Sequence, residues 1–397
     1  MALALYVLLF LGTLSILIWL GIAFHPARPW DFRPVAEDVA PPPDPEAWPD
    51  VRVLVPARNE AEALPRTLPA LLAQDYPGRF EIMVVDDRSQ DGTAAVARKI
   101  ADEAGVTERL TVIQGQPLPD GWVGKVWALE QGFRLQASGI RAEKNASENP
   151  SVAPSPIQNP KYLLLTDADI RHAPGSLKRL VAESARDGLA LNSRMARLRC
   201  DSGPERLLIP PFVFFFNLLY PMRRVNDPRD PLAAAAGGCV LLERGALVKA
   251  GGFARIRGEL IDDVNLARAI KQDGRVIRLA LSRGDVASLR AYQTLGSIWT
   301  MVRRTAFTEL RYSYARLLGA LCGLALLFAL PPLLVAAGGG VVFYALAAGA
   351  DLPVVFAAIV AAKGLFILAL MAAVYRPATA FFGLSAAWSL TLPLAGL

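Results

Sequence analysis

The chain has 397 residues, of which 53% are hydrophobic and 20% are charged. Soluble proteins average about 45–50% apolar and about 25% charged residues, and the charge in this chain is unevenly distributed. Residues 1–27 contain no Lys, Arg, Asp or Glu, and residues 317–397 contain only Asp351, Lys363 and Arg376 as charged residues. This distribution excludes an ordinary soluble domain, a disordered chain and a small disulfide-rich secreted domain.

Forty-two basic and 36 acidic residues give a formal net charge of +6, and the basic residues form no Lys/Arg-rich block. A nucleic-acid partner is therefore not expected. The three cysteines, Cys200, Cys239 and Cys322, lack the spacing of a metal site. With His25 and His172 as its two histidines, the chain is a poor candidate for a histidine-centred triad or a multi-histidine metal site.

Two regions of the chain have the composition of membrane-spanning helices. The apolar stretch at 3–24 has about the ~20 residues that a helix needs to cross a bilayer. We predict an uncleaved anchor over residues 1–27; the alternative is a cleaved signal peptide, which is expected to begin with basic residues. Further candidate spans at 317–337, 352–374 and 379–397 predict a C-terminal transmembrane region over residues 317–397.

Basic residues beside these spans indicate the orientation of the protein in the membrane. Arg28 and Arg33 follow the first span, four arginines at 303–316 precede the second, and the connection at 337–353 has no basic residue. The pattern predicts a multi-pass protein whose N terminus is outside and whose residues 28–316 are cytoplasmic.

A Pro-rich linker at 28–50 precedes a segment in which short apolar runs alternate with helical patterns. The apolar runs predict strands at 51–55, 81–85, 110–113 and 162–165, and the helical patterns predict helices at 61–74, 93–104 and 127–135. Alternating strands and helices indicate an α/β fold with a mostly parallel sheet, which binds ligands at the carboxyl ends of its strands. We predict that this domain covers residues 51–316 and contains a flexible polar insertion at 136–161.

Acidic residues collect where three of the predicted strands end. Glu60 follows the first strand, Asp87 follows the second, and Asp167 and Asp169 follow the fourth. Because these carboxylates repel one another, a shared Mg²⁺ or Mn²⁺ ion that also binds a diphosphate is the predicted explanation. A solvated turn or a helix cap is the alternative for any one pair. His172 either completes the metal site or is an ordinary polar residue.

Four segments, at 56–60, 86–93, 124–128 and 167–169, resemble the motifs of inverting GT-A glycosyltransferases of family 2, in the same order. The resemblance implies a Rossmann-like GT-A fold and a nucleotide-sugar donor, expected to be a UDP-sugar. The donor-binding residues that it implies are Pro56, Arg58, Glu60, Asp87, Lys125 and Asp167. It also implies a divalent cation held by Asp169 and Asp167, which match the family's DxD motif.

The resemblance extends to the acceptor side. Gly237, Gly238 and Cys239 match the segment that lines the acceptor site in the family, where small residues let a sugar approach the backbone. Asp262 and Asp263 align with the family's acidic pair, and Asp263 occupies the position of the catalytic base. Such a base takes the proton of the acceptor hydroxyl. A cap for the following helix, predicted at 264–270, is the alternative for this pair, and both roles are compatible.

One departure from the family lies at 299–305, where processive members carry a QxxRW motif. Arg304 matches the arginine of that motif and is a candidate for holding the donor diphosphate, but Gln and Trp are absent from their usual positions. The basic flank of a membrane span is an equally open interpretation of Arg304. The departure disfavours a processive polysaccharide synthase. A catalytically silent membrane scaffold is a further alternative, which the intact acidic motifs disfavour.

The segment at 205–224 is rich in aromatic residues, is interrupted by prolines and is flanked by arginines. This composition suits an interfacial segment in the headgroup layer, with a buried core helix as the alternative. Together with 236–239, 261–263 and 301–307, it resembles the hopanoid-biosynthesis-associated subgroup of the family. The resemblance implies a membrane lipid acceptor, such as a hopanoid, and a bacterial-type inner membrane. We therefore predict a metal-dependent inverting glycosyltransferase that acts on a lipid at the cytoplasmic face.

Overall fold

The computed structural model of the protein describes residues 2–33, 36–38, 43–134, 157–349 and 353–396. The chain forms two compact units. The first unit comprises Met1–Arg33, Cys200–Pro221 and Tyr292–Leu397, and the second comprises Pro34–Arg199 and Met222–Ala291. Most of the insertion predicted at 136–161 lies outside the described residues.

The second unit is built around a mixed sheet. Its strands are β1 (Val51–Ala57), β2 (Phe80–Asp86), β3 (Leu110–Gln114), β4 (Tyr162–Thr166), β5 (Ile170–His172), β6 (Leu189–Met195), β7 (Cys239–Glu243), β8 (Val276–Leu281) and β9 (Val286–Ser288). Seven of these form one sheet in the order β3-β2-β1-β4-β7-β6-β8, and β5 pairs with β9 in a separate antiparallel ladder. In the large sheet, β7 runs antiparallel to both of its neighbours, and the other pairs are parallel.

The helices of the two units, in chain order, are α1 (Ala2–Ala23), α2 (Leu64–Leu72), α3 (Thr93–Glu103), α4 (Gly124–Arg134), α5 (Ser176–Asp187), α6 (Gly203–Leu219), α7 (Met222–Val225), α8 (Arg244–Lys249), α9 (Asp262–Gln272), α10 (Leu295–Glu309), α11 (Tyr314–Leu324), α12 (Leu330–Ala348), α13 (Val354–Phe381) and α14 (Leu392–Ala395). A short π-helical segment, Ala325–Ala329, joins α11 to α12. The four predicted strands and three predicted helices of the α/β segment are present, and their ends differ from the predicted ones by at most three residues.

The predicted mostly parallel α/β fold is confirmed. Val53 of β1 lies opposite Ile82 of β2 on one side and Leu164 of β4 on the other, and all three side chains are fully buried. Strands of a parallel sheet that is covered on both faces are apolar throughout rather than alternating, which is why short apolar runs predict them. Because β1, β2 and β4 are parallel neighbours, their carboxyl ends meet at one edge of the sheet.

Three helical stretches of the first unit are long and apolar enough to cross a membrane: Leu3–Ala23, Tyr314–Ala348 and Val354–Phe381. The third predicted C-terminal span, at 379–397, is wrong. The helix that it should have formed ends at Phe381, and Gly383 adopts a left-handed conformation (φ 76°) that breaks the helical path. The apolar helix that follows, Ala386–Ala395, is shorter than the ~20 residues that a span requires.

Small residues and a partly buried lysine contribute to the contacts between these long helices. A Cβ atom at Gly364 of α13 would lie 2.7 Å from the Pro331 carbonyl oxygen, so close packing with α12 requires glycine there. Lys363 of α13 donates hydrogen bonds from Nζ to the Leu9 carbonyl oxygen (3.2 Å) and to the Thr13 hydroxyl of α1. These partners compensate a charge that would otherwise be costly within an apolar helix.

The segment predicted to be interfacial forms α6, whose first turn is closed by a capping box between Ser202 and Glu205. Phe214 is fully buried and packs edge-on against Tyr375 of α13, with 5.4 Å between ring centroids. The side chain of Phe214 therefore packs inside the first unit, as a buried core helix would place it, and the interfacial character of the segment stays a prediction. Cys200–Pro221 and the residues from Tyr292 onward belong to the first unit. The sequence analysis placed the parts of these segments up to residue 316 in the 51–316 domain, and that boundary stays a prediction.

Candidate active site

The loops that follow β1 and β2 are hydrogen-bonded to each other at the carboxyl edge of the sheet. The Asn59 N–H donates to Ser89 Oγ (2.9 Å), and the Glu60 N–H donates to Thr93 Oγ1 (2.9 Å). Asn59 has a positive φ of 56°, a conformation that Asn tolerates better than most residues. This mutual bonding fixes the backbone from which the predicted donor-binding side chains project.

A cleft opens beside these loops, at the ends of β1 and β4. It is lined by Pro56, Lys125, Leu129, Leu165, Thr166, Asp167, Gly237, Val240, Asp262, Asp263 and Leu266. The structure therefore brings together predicted site residues from segments that are distant in the sequence.

Lys125 is the central cation of this cleft. It lies in the first turn of α4, which begins three residues earlier than predicted. Its Nζ is 2.7 Å from Asp167 Oδ1 and 3.6 Å from Asp262 Oδ2. Burial disfavours the charged form of Lys125, but Asp167 and Asp262 outweigh burial and raise the pKa of its ammonium group. Lys125 therefore stays charged and links the predicted donor and acceptor sides of the cleft.

Asp263 has the environment of a general base. Its Oδ2 accepts a hydrogen bond from the Gly237 N–H (2.7 Å), and its Oδ1 accepts one from the Val264 N–H (2.8 Å). Burial, assisted by the negative charge of Asp262, raises the pKa of Asp263 to about 7, while Lys125 and the two backbone donors oppose the rise. A carboxyl group with a pKa near neutrality exchanges protons effectively at physiological pH.

The alternative role of this acidic pair, as a helix cap, is only partly realised. Asp262 and Asp263 occupy the first turn of α9, and the residue at the N-cap position is Ile261, which forms no side-chain cap. Negative charges in a first helical turn interact favourably with the helix dipole. Both aspartates therefore suit the helix, yet Asp263 keeps its carboxylate in the cleft.

The predicted acceptor-side residues differ in what they present to the cleft. A Cβ atom at Gly237 would lie 3.1 Å from Lys125 Nζ and 3.2 Å from Asp263 Oδ2, so only glycine leaves these groups undisturbed. The Gly238 carbonyl oxygen accepts a hydrogen bond from Thr166 Oγ1 (2.9 Å). Cys239, the first residue of β7, is fully buried in the core, and burial raises the pKa of its thiol to about 12. Its side chain does not line the cleft.

His172 lies behind the cleft, where it contacts Thr166. Its Nε2 is 2.8 Å from Thr166 Oγ1 in a buried site, and burial lowers the pKa of the imidazole to about 4. Since the Thr166 hydroxyl donates its proton to Gly238, the neutral His172 must donate from Nε2. This hydrogen bond assigns His172 to support of the cleft wall rather than to a metal site.

The two carboxylates of the predicted metal site follow β4 and are each paired with a cation. Asp167 is bonded to Lys125, and Asp169 Oδ2 accepts a hydrogen bond from Arg290 Nε (2.8 Å). In the part of the chain that the structure describes, no group of three or more His, Cys, Asp or Glu side chains is placed to hold a metal ion. Mg²⁺ commonly binds one or two carboxylates together with substrate phosphates and water. Two aspartates therefore fit a cation that is held jointly with a diphosphate.

Arg290 is a site residue that the sequence did not indicate. Its Nη2 donates to Glu60 Oε1 (3.0 Å), so the guanidinium bridges Glu60 and Asp169. Burial raises the pKa of Glu60, Arg290 opposes that rise, and the charges of Asp169 and Asp167 add to it. A single arginine outside any motif carries no signal by which sequence analysis would select it.

Asp87 and Arg58 form a separate pair near the start of α4. Arg58 Nη1 is 3.5 Å from Asp87 Oδ2, and burial raises the pKa of Asp87 although Arg58 opposes the rise. A Cβ atom at Gly124 would lie 3.3 Å from Asp87 Oδ2, so this carboxylate faces the first residue of α4. The side chain of Arg304, the remaining predicted donor ligand, lies outside the described residues.

The mostly parallel α/β sheet, with an Asp-x-Asp pair after β4 and an acidic pair in the first turn of α9, has the GT-A class of fold. The chain belongs to the family described as glycosyltransferase like family 2, whose sequence profile matches residues 49–308. This member of the family also has three helical stretches, among its described residues, that are long and apolar enough to cross a membrane.

Relatives share short stretches with the chain. Glycosyltransferase AglE of Haloferax volcanii is 44% identical over 54 residues, which are 13% of this chain and 18% of that protein. The probable glycosyltransferase YdaM of Bacillus subtilis is 31% identical over 103 residues, which are 26% of this chain and 24% of that protein. The chain therefore matches less than a quarter of the length of either relative.

A solved structure shares the fold over nearly the whole chain. The mannosyltransferase PcManGT from Pyrobaculum calidifontis, in complex with GDP-Man and Mn²⁺, aligns with a TM-score of 0.55 and covers 98% of both chains. The two sequences are 21% identical, so this similarity establishes the shared fold.

Proposed function

We propose that the protein is an inverting glycosyltransferase that moves a sugar from a nucleoside-diphosphate sugar, of the UDP type, to a hydroxyl group of a membrane lipid. The observation that carries the proposal is the position of Asp263. Its carboxylate, with a pKa raised to about 7, lines the same cleft as Lys125 and Asp167. A base and a cationic diphosphate site within one cleft are what a direct displacement requires.

In the proposed reaction, Asp263 accepts the proton of the acceptor hydroxyl while the hydroxyl oxygen forms a bond to the anomeric carbon of the sugar. The bond from that carbon to the diphosphate oxygen breaks, and the diphosphate leaves with the electron pair. Attack opposite the leaving group inverts the anomeric configuration. Lys125, held 2.7 Å from Asp167, supplies positive charge where negative charge develops on the leaving group.

The proposal includes a divalent cation that Asp167 and Asp169 would hold. When bound, such an ion neutralises the charge of a diphosphate leaving group. The support in this chain is the pair of hard carboxylate oxygens at the end of β4, and PcManGT, which shares the fold, is solved with Mn²⁺.

The lipid acceptor is proposed from the three apolar helical stretches of the first unit. A catalytic domain on the same chain as such helices is kept at the membrane, where the hydroxyl groups of lipids are its most concentrated acceptors. The resemblance to the hopanoid-associated subgroup supports a hopanoid as the proposed acceptor. The arginine distribution supports a reaction at the cytoplasmic face of a bacterial-type inner membrane.

The test is transfer by the full chain in lipid nanodiscs, with radiolabelled UDP-sugars and GDP-sugars as donors and extracted bacterial lipids as acceptors. We expect a labelled lipid product with wild type and with Asp102→Asn, a matched change at an exposed residue of α3. Asp263→Asn should form at least about a hundredfold less product, because general-base catalysis contributes ~10²–10⁴-fold. Release of free sugar or synthesis of a polymer in place of a glycolipid would contradict the proposal.

The metal requirement is tested separately by titrating UDP into wild type and Asp169→Ala, each with and without Mn²⁺. We expect Mn²⁺ to strengthen UDP binding to wild type and to have little effect on the variant, because the variant lacks one of the two carboxylates. Equal, metal-independent binding in both proteins would refute the metal site.

A further inference from the structure

Arg290 occupies the predicted metal-binding carboxylate through direct contacts. Its Nε donates to Asp169 Oδ2 (2.8 Å) and its Nη2 donates to Glu60 Oε1 (3.0 Å). The same Asp169 oxygen lies 3.4 Å from Ser288 Oγ, which donates to it. Asp169 Oδ2 is therefore engaged by two donors from the residues at and just after β9.

The backbone fixes Arg290 in this position. Ile170 of β5 pairs with Ser288 of β9 in the antiparallel ladder, and the Leu289 N–H donates to the Asp169 carbonyl oxygen (2.9 Å). This backbone pairing therefore positions Arg290 beside Asp169, although 121 positions separate the two residues in sequence. The contact is built into the fold.

The contact of Arg290 with Asp169 and Glu60 balances the negative charge of this site. Burial raises the pKa of Glu60, Arg290 opposes the rise, and the charges of Asp169 and Asp167 add to it. Lys125 compensates Asp167, and Arg290 compensates Asp169 and Glu60. A divalent cation on Asp169 would repel the guanidinium, because both are positive and share one carboxylate.

Of the two cations, Arg290 is the one that is able to leave. Its side chain is 50% exposed, whereas that of Lys125 is 32% exposed and is held between Asp167 and Asp262. An arginine released from a carboxylate has a natural alternative partner in a diphosphate, which a guanidinium binds with two parallel hydrogen bonds. The donor would bring such a group to the site together with the metal.

We propose that Arg290 is an internal counter-ion of the metal site, which holds Asp169 in the free enzyme and moves to the donor diphosphate when metal and nucleotide bind. The inference rests on the proposed function. It makes metal and nucleotide bind cooperatively, since the diphosphate draws away the residue that competes with the metal. Coupling of this kind is reciprocal, so each ligand strengthens the other by the same factor.

The experiment measures Mn²⁺ binding to the full chain in nanodiscs from the EPR signal of free Mn²⁺, with and without UDP. Wild type is compared with Arg290→Gln and with Arg290→Lys, which retains the charge but loses the planar fork. Arg171→Gln is the matched control, because Arg171 is an exposed arginine two residues from Asp169. Asp169→Asn reports whether Mn²⁺ binds at the proposed site.

We expect Arg290→Gln to bind Mn²⁺ alone about two- to fivefold more tightly than wild type, because partly exposed ion pairs are weak. The strengthening of Mn²⁺ binding by UDP should shrink in Arg290→Gln, remain partial in Arg290→Lys and stay unchanged in Arg171→Gln. Neither measurement depends on sugar transfer.

Two results would overturn the inference in distinguishable ways. If wild type binds Mn²⁺ through Asp169 and Arg290→Gln binds it no more tightly, Arg290 merely orients the carboxylate, and the proposed function stands. If Asp169→Asn and wild type bind Mn²⁺ equally, the metal site of the proposed function fails, and the counter-ion role fails with it.

Discussion

The environment of Asp263 makes the proposed reaction depend on pH in a defined direction. Burial first, and the charge of Asp262 second, raise the pKa of Asp263 to about 7. The carboxylate form, which accepts a proton, predominates above that pKa, and the protonated form predominates below it. Transfer should therefore decline as the pH falls through about 7, by tenfold for each further pH unit.

Replacing Asp262 by Asn tests this account, because it removes one of the two causes and leaves the other. An opposite charge within ~4–6 Å lowers a carboxyl pKa by ~1–3 units, and a like charge acts in the reverse direction, for which we take the same range. The Asp262 carboxylate is partly exposed and lies 3.6 Å from Lys125 Nζ, so its effect should be at the lower end of that range. A shift of one unit corresponds to ~1.4 kcal/mol. We expect the acid limb of the pH profile to shift to lower pH by about one pH unit, because only burial would remain to raise the pKa of Asp263.

The assay measures kcat/KM for the acceptor across a pH series that brackets neutrality, at saturating donor and metal. Under these conditions the acid limb reports the pKa of the essential base before the acceptor binds. Asp263→Asn should show low activity without an acid limb, and Asp102→Asn should reproduce the wild-type profile. Donor affinity, measured in parallel, should stay near wild type in all three variants.

Two results would refute this reasoning. An acid limb that stays in place in Asp262→Asn would mean that the charge of Asp262 does not act on the essential group. Near-normal turnover by a folded Asp263→Asn variant would mean that Asp263 is not the base. Asp262 would then be the next carboxylate to consider in the cleft.

Two further predictions concern the walls of the cleft. Gly237→Ala should reduce transfer by ~10–100-fold at unchanged UDP affinity. Its methyl group would lie 3.1 Å from Lys125 Nζ, and small displacements of reacting groups slow a reaction strongly. The control is Gly203→Ala, where a methyl group would meet open space and transfer should be unchanged. Thr166→Val should lower the free energy of unfolding by ~1–3 kcal/mol, because it leaves buried polar groups of His172 and Gly238 without a partner. Thermal unfolding should show a smaller loss for Ser, which keeps the hydroxyl but lacks a buried methyl group worth ~0.8 kcal/mol, than for Val.

The carboxyl edge of the sheet could be predicted from sequence because its logic is local. Glu60, Asp87 and Asp167 each follow a short apolar run, and parallel strands bring such positions to one edge. The order β2-β1-β4 in the sheet places the three loops next to one another. Polar residues directly after buried strands therefore indicated the edge of the sheet at which the cleft lies, whereas Lys125, Asp262 and Asp263 were indicated by the resemblance to the family.

Contacts that depend on distant pairing could not be predicted in the same way. Arg290 reaches Asp169 through the ladder of β5 and β9, and each of these strands has three residues, too few for a hydrophobic pattern. The burial of the Cys239 side chain away from the cleft follows from strand geometry, since alternate residues of a strand face opposite sides. Predicting it requires the first residue of β7 to be known. The misplaced last span shows that composition alone does not reveal a helix break at Gly383.

The segment at 205–224 remains a prediction about the membrane, and the structure shows where to test it. Phe214 packs in the core, so Asp at that position would disrupt folding, whereas Leu219 at the end of α6 is 59% exposed. The test places a fluorophore on Leu219→Cys in a chain whose Cys200 and Cys322 are replaced by Ser. We expect quenching by lipids that carry a nitroxide in the headgroup layer, because an exposed leucine at the end of an aromatic-rich helix favours the membrane interface. Labels on Phe366→Cys, in a candidate span, and Val248→Cys, on α8, are the controls for membrane and water. A label at position 219 that behaves like the one at 248 would mean that the aromatic residues of this segment serve internal packing alone.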